Sequence, residues 1–82
     1  MISKRAQINL VTGADVQRFV EGLNSDGSVD RYVLEDYNGR NRVSARSYLG
    51  ALYASMEFKG EIFVVNETHD GVFPPIVDAF RI

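Results

Sequence analysis

The sequence predicts an α+β fold in which helices lie on one face of an antiparallel or mixed sheet. Three observations carry this expectation. Hydrophobic periodicity orders the elements as β-α-β-β-α-β-α. Asn38-Gly39 stands between two of the strands and is the strongest short signal for a hairpin turn. The 82 residues are 45% hydrophobic and include no cysteine, so a single small core must hold the chain by packing alone.

Each element has its own reason. From Lys4 to Val11, Ala6, Ile8 and Leu10 alternate with Arg5, Gln7 and Asn9, the period of a half-buried strand. Thr12-Gly13-Ala14-Asp15 reads as a helix start, with Thr12 as N-cap and Asp15 completing a capping box. Val16, Phe19, Val20 and Leu23 follow at helical spacing, and the polar, glycine-containing stretch from Asn24 to Ser28 ends the helix. Ser28 to Tyr37 is the second strand. Asn38-Gly39 suits a type I′ turn, with positive φ at both positions, and Arg40 to Val43 is the return strand. The second helix starts near Ser44 or Ser47 and runs to Met56 through Ala45, Tyr48, Leu49, Leu52 and Tyr53. Glu57 to Gly60 is a turn. Glu61 to Asn66 is a β-rich run suited to burial on both faces. Pro74 and Pro75 fit only the first turn of a helix that starts near Phe73 and runs to about residue 81. The predicted core holds Ile8, Leu10, Val16, Phe19, Val20, Leu23, Val33, Leu49, Leu52, Ile62, Val64, Ile76 and Phe80.

Composition excludes several function classes. Without cysteine there is no disulfide, thiolate or zinc-finger chemistry. A net charge of −2 does not invite nucleic acid or an anionic membrane. No signal-peptide run or membrane span is legible, so a cytoplasmic single domain over residues 1–82 is expected.

Catalytic constellations are absent from the pattern. The one histidine, His69, lies between Glu67 and Asp70 in what reads as a solvated loop rather than a metal site. Asp15 reads as a helix-start charge; Asp30, Glu35 and Asp36 read as solvated strand residues. Gly50 and Gly60 sit in ordinary helix and turn settings, not in a phosphate cradle. No enzyme activity, cofactor or metal is expected.

Arg40, Arg42 and Arg46, with Lys4 and Arg5 as possible neighbours, cluster in sequence before the second helix, beside Ser47. Ser47 is either a plain cap in front of a solvated basic edge or a phosphoserine site, since helix N-termini and arginines both favour phosphate. The element order also fits an RNA-recognition domain, and Lys59-Gly60-Glu61-Ile62-Phe63-Val64 brushes its basic-Gly-aromatic pattern. Against that, the chain ends in a helix, and Ile8-Asn9-Leu10-Val11 offers no stacking aromatic.

Asn38-Gly39 and Val43-Ser44-Ala45-Arg46-Ser47-Tyr48-Leu49-Gly50, together with the element order, resemble the HPr family of histidine-containing phosphocarriers in the bacterial sugar phosphotransferase system. The resemblance implies an open-faced sandwich, a four-stranded antiparallel sheet covered on one face by three helices. Thr12 falls where that family carries its phosphohistidine, with Ala14 and Asp15 at the family's arginine and proline. Phosphohistidine transfer is therefore not expected, and His69 lies on a different loop. Ser47 matches the family's regulatory serine; Tyr48, Leu49 and Leu52, beside Arg46, match its partner surface. The function implied is a regulatory, protein-binding module of sugar transport or carbon control, with a serine kinase or transcriptional regulator as partner and neither nucleic acid nor membrane. The alternatives are a diverged scaffold on the same fold with an unrelated binding role and, more distantly, a small RNA-binding domain.

Overall fold

The computed structural model describes residues 4–59 and 61–82. The reading of the extreme N-terminus and of Gly60 lies outside the described residues. The elements are β1 (Arg5–Ile8), α1 (Gly13–Ser25), β2 (Tyr32–Glu35), β3 (Arg42–Ser44), α2 (Tyr48–Glu57), β4 (Ile62–Asn66) and α3 (Pro75–Phe80). The fold is α+β, in the predicted element order. The four strands form one antiparallel sheet in the order β1-β4-β2-β3.

The strands are shorter than their alternation. β1 stops at Ile8, opposite Ile62, because β4 offers no residue beyond that pair. The Asn9 N–H then donates to the Phe80 carbonyl and the Ile82 N–H to the Gln7 carbonyl, both at 2.9 Å. Ile8 also bridges Arg81, so the residues after α3 run along the outer edge of β1.

The type I′ expectation at Asn38-Gly39 is overturned. Gly39 has φ 74°, but Asn38 does not share it. The side chain of Asp36 organises a longer loop instead. Its carboxylate accepts from the Arg40 N–H (3.0 Å), the Asn41 N–H (3.3 Å) and Asn41 Nδ2 (2.7 Å). Asp36 and Asn41 close the loop, and β3 begins two residues later than the pattern suggests.

α1 starts on the predicted capping box. α2 starts after Ser47, whose hydroxyl accepts the Gly50 N–H at 3.1 Å. α3 begins at Pro75 rather than near Phe73, with Pro74 in the extended conformation before it. The Pro75 ring fixes a φ suited to the first helical position, where no N–H partner is required.

The core lies between the three helices and one face of the sheet. Ile8, Leu34, Ile62 and Val64 meet Val16, Phe19 and Leu23 of α1 and Val77 of α3, all of them buried. Phe19 and Phe80 pack edge to face with ring centroids 5.8 Å apart. Leu52 and Ile76, expected in the core, are half-buried at its margin.

Leu49 departs most from expectation: it is 75% exposed. A Cβ at Gly50 would stand 2.9 Å from the Ser44 carbonyl oxygen, so α2 lies almost on the backbone before it. Only small side chains fit beneath such a helix, and the buried ones are Ala51 and Ala54.

The opposite sheet face carries no helix among the described residues but is not bare. Glu35, expected to be solvated, is 9% exposed there. Its carboxylate accepts from Arg5 (3.0 Å) and from Arg42 Nε (3.1 Å). Arg42 also reaches Glu67 at 2.6 Å, and Glu67 reaches Arg31 at 3.3 Å. This alternating ladder crosses the sheet beside the paired, buried residues Val33 and Val65, while Arg5 stacks 4.0 Å over Phe63. No helix among the described residues is long and apolar enough to cross a membrane.

Candidate functional site

At the start of α1, Thr12 Oγ1 accepts the Asp15 N–H at 3.1 Å. The Asp15 carboxylate in turn accepts the N–H groups of Val11 (3.1 Å) and Thr12 (3.2 Å) and pairs with Arg18 at 2.9 Å. The Arg18 hydrogen bond, then those two amides, hold the Asp15 carboxyl below its ordinary range. The helix end that would attract an anion already contains one from its own chain. Thr12 therefore stands in a closed hydrogen-bond system with no ring nitrogen to accept a phosphoryl group.

The three arginines expected around the start of α2 are not brought together. Arg42 belongs to the ladder on the helix-free face. Arg40 lies in the Asp36–Asn41 loop, and its N–H is held by Asp36. Arg46 turns toward the far end of α1. Nε donates to the Asp30 carbonyl at 3.0 Å, and Nη2 donates to Asp30 and Ser28 carbonyls, each at 2.8 Å. Nη1 donates to the Leu23 carbonyl at 3.1 Å and to Asn24 Oδ1 at 3.2 Å. All five guanidinium donors are thereby engaged, and the group stacks 4.9 Å over Tyr32. α1 has no basic residue in its own last turn, so Arg46 supplies the cation its C-terminal carbonyls favour. The residue expected on a partner surface is a latch inside the fold.

Ser47 is exposed and serves as the cap of α2, whose first turn has no acidic residue. Next to it, Tyr48 leans over α1, its hydroxyl 3.8 Å from where a Cβ of Gly13 would lie. Tyr48, Val20, Gln17 and Glu21 line a groove of about 410 Å³ between the two helices.

The outer face of α2 is apolar. Tyr48 is 43% exposed, Tyr53 49%, Met56 66%, and Leu49 more than any of these. Leu52 completes the stripe. With about 100° per residue, these five side chains sweep roughly 140° of the helix. A helix that keeps its alanines inside and its large apolar groups outside has the reverse of the usual amphipathic order. Of the four partner-surface residues read from the sequence, Tyr48, Leu49 and Leu52 share this face and Arg46 does not; Tyr53 and Met56 extend it.

His69 is in a loop as expected, but it is not isolated. Its Nδ1 lies 3.0 Å from both carboxylate oxygens of Asp30. Buried Asn66 donates to Asp30 at 2.9 Å and to the Val72 carbonyl at 2.8 Å. Its Oδ1 accepts the N–H groups of Thr68 and His69, both at 2.9 Å. The Asn66 hydrogen bond, then that of His69, lowers the Asp30 pKa. Asp30, read as solvated, is thus a structural acceptor that ties the loop after β4 to the loop before β2. Among the described residues no three potential metal ligands converge.

Comparison of the chain with protein-family models, with curated proteins and with solved structures finds no match.

Proposed function

We propose that this chain is an HPr-like, non-enzymatic module that binds a protein partner through the outer face of α2, in the control of sugar transport or carbon use. The observation that carries this reading is the outward stripe of Tyr48, Leu49, Leu52, Tyr53 and Met56 over a helix that packs inward through alanines. Contiguous exposed apolar surface of this kind marks interaction sites. The four-stranded antiparallel sheet and the three helices are compatible with the open-faced sandwich that the resemblance implies. The closed Thr12–Asp15 system supports the absence of phosphohistidine transfer.

Ser47 is the proposed regulatory position. A phosphate there adds about −1.5 to −2 charge at the border of Tyr48 and Leu49. Its support is that Ser47 is an exposed residue at a helix start free of acidic residues. One observation favours a second reading, a diverged scaffold in which Ser47 is a plain cap: the arginines near it in sequence are engaged elsewhere.

The test is site-specific photo-crosslinking in cells, with a photoreactive residue at position 49 or, as control, at position 7 on the helix-free face. Adducts of defined mass from position 49 alone are expected. Adducts from both positions alike, or from neither, would overturn docking through α2. Ser47→Asp that leaves the position-49 adducts unchanged would reduce Ser47 to a cap.

A further inference from the structure

The apolar stripe on α2 is bordered by carboxylates on both margins. On one side Tyr48 closes the groove against α1, and Glu21 stands on the far wall of that groove. On the other side Glu57 follows Tyr53 by four residues, about 40° further around the helix, and is exposed. Gln17 Nε2 donates to Glu21 Oε1 at 3.0 Å, which orients the carboxylate without neutralising it. Neither Glu21 nor Glu57 has an ion-pair partner among the described residues. Arg46, two residues before Tyr48, is fully engaged at the end of α1. Beyond Glu57, a shallow depression gathers Lys59 with Glu57, Glu61 and Asp36, so acid outnumbers base there as well.

We infer that the partner received by this face is a protein surface carrying an apolar ridge flanked by lysine or arginine, one cation meeting Glu21 and another meeting Glu57. The inference rests on the docking reading above and adds the charge of the partner to it. Rim charges act chiefly on encounter rate and on the choice between partners, while the apolar centre supplies the contact. A second copy of this chain would bring carboxylates to carboxylates, and an anionic lipid surface would be repelled in the same way.

The test uses two synthetic amphipathic helical peptides with identical leucine faces, one flanked by lysines and the other by glutamates. Each is titrated into the isotope-labelled full chain at low salt and followed by backbone amide shifts. The lysine peptide is expected to shift residues 17–21 and 48–57 and to bind about fivefold or more tightly than the glutamate peptide. Added salt narrows that ratio, and Glu21→Gln/Glu57→Gln brings it close to one while the spectrum stays folded. Equal binding of both peptides on α2 would overturn the charge inference and leave docking through α2 standing. Binding of neither peptide would overturn both. Concentration-dependent self-association through α2, or its binding to phosphatidylglycerol vesicles, would overturn the inference by naming a different occupant.

Discussion

Thr12 and Asp15 hold each other at the start of α1: the threonine hydroxyl accepts the Asp15 N–H at 3.1 Å, and the aspartate carboxylate accepts the Thr12 N–H at 3.2 Å. Thr12→Ala breaks one half of this exchange and is expected to cost about 0.5–2 kcal/mol in urea unfolding. Incubation of the wild type with labelled phosphoenolpyruvate and the general phosphotransferase enzyme should leave it unlabelled. Acid-labile label on His69 would defeat that expectation.

Stability should fall in acid. Asp15, Asp30 and Asp36 all titrate below their ordinary value of 3.8 in the folded chain. Their main causes are hydrogen bonds from Arg18, Asn66 and Asn41 respectively. The unfolded chain therefore takes up protons first, and stability rises with pH across that interval. The contribution is complete above about pH 5 and drains as pH falls through 3.8 toward the lowered values. Urea midpoints at pH 6, 4 and 3 should decline in that order, and Arg18→Met should make the decline shallower. A midpoint that does not move would count against the three carboxylates.

Arg46→Lys should behave as a severe change despite keeping the charge. Lysine has one nitrogen, so it cannot reach the carbonyls of Leu23, Ser28 and Asp30 together. A loss of about 2–4 kcal/mol is expected, with faster amide exchange between residues 26 and 31. Unchanged exchange in that loop would mean that Arg46 is not its latch.

Leu49 and Phe19 should separate surface from core. Phe19 is fully buried, and Phe19→Ala is expected to cost about 3–5 kcal/mol. Leu49→Ala should stay within about 0.5 kcal/mol of wild type, because the side chain is already in solvent. Thermal or urea unfolding of both variants settles the contrast, and a large loss at Leu49 would place it in the core after all.

The contrast between these two large apolar positions also marks what sequence pattern conveys. Val16, Phe19, Val20 and Leu23 form a clean stripe between polar residues, so their inward face is legible. α2 is apolar on nearly every side, and its periodicity cannot say which side is buried. The deciding fact is its close approach to the Ser44 carbonyl, so near that even a Cβ at Gly50 would stand 2.9 Å away, and the buried side chains that follow are Ala51 and Ala54. The Thr12 cap was legible because capping is local in sequence. The ladder was not, because Arg5, Glu35, Arg42 and Glu67 come from four separate segments. Glu35 did carry a trace of it, since it alternates with Leu34 and must face away from the helices. The latch of Arg46 left no signal at all: it lies 23 residues along the chain from the carbonyl of Leu23 that it serves.

The segment that follows α3 has a consequence for how these molecules behave in a crowd. An unpaired strand edge is a template on which another chain can add itself. With Asn9 bound to Phe80 and Ile82 to Gln7, the β1 side of the sheet offers little of its backbone to a stranger. The remaining side, β3, is only three residues long and carries Arg42. Sheet-to-sheet growth into fibres therefore has no long, flat starting rail on either flank, and the protein can keep an apolar helix face in solvent without also inviting polymerisation through its strands.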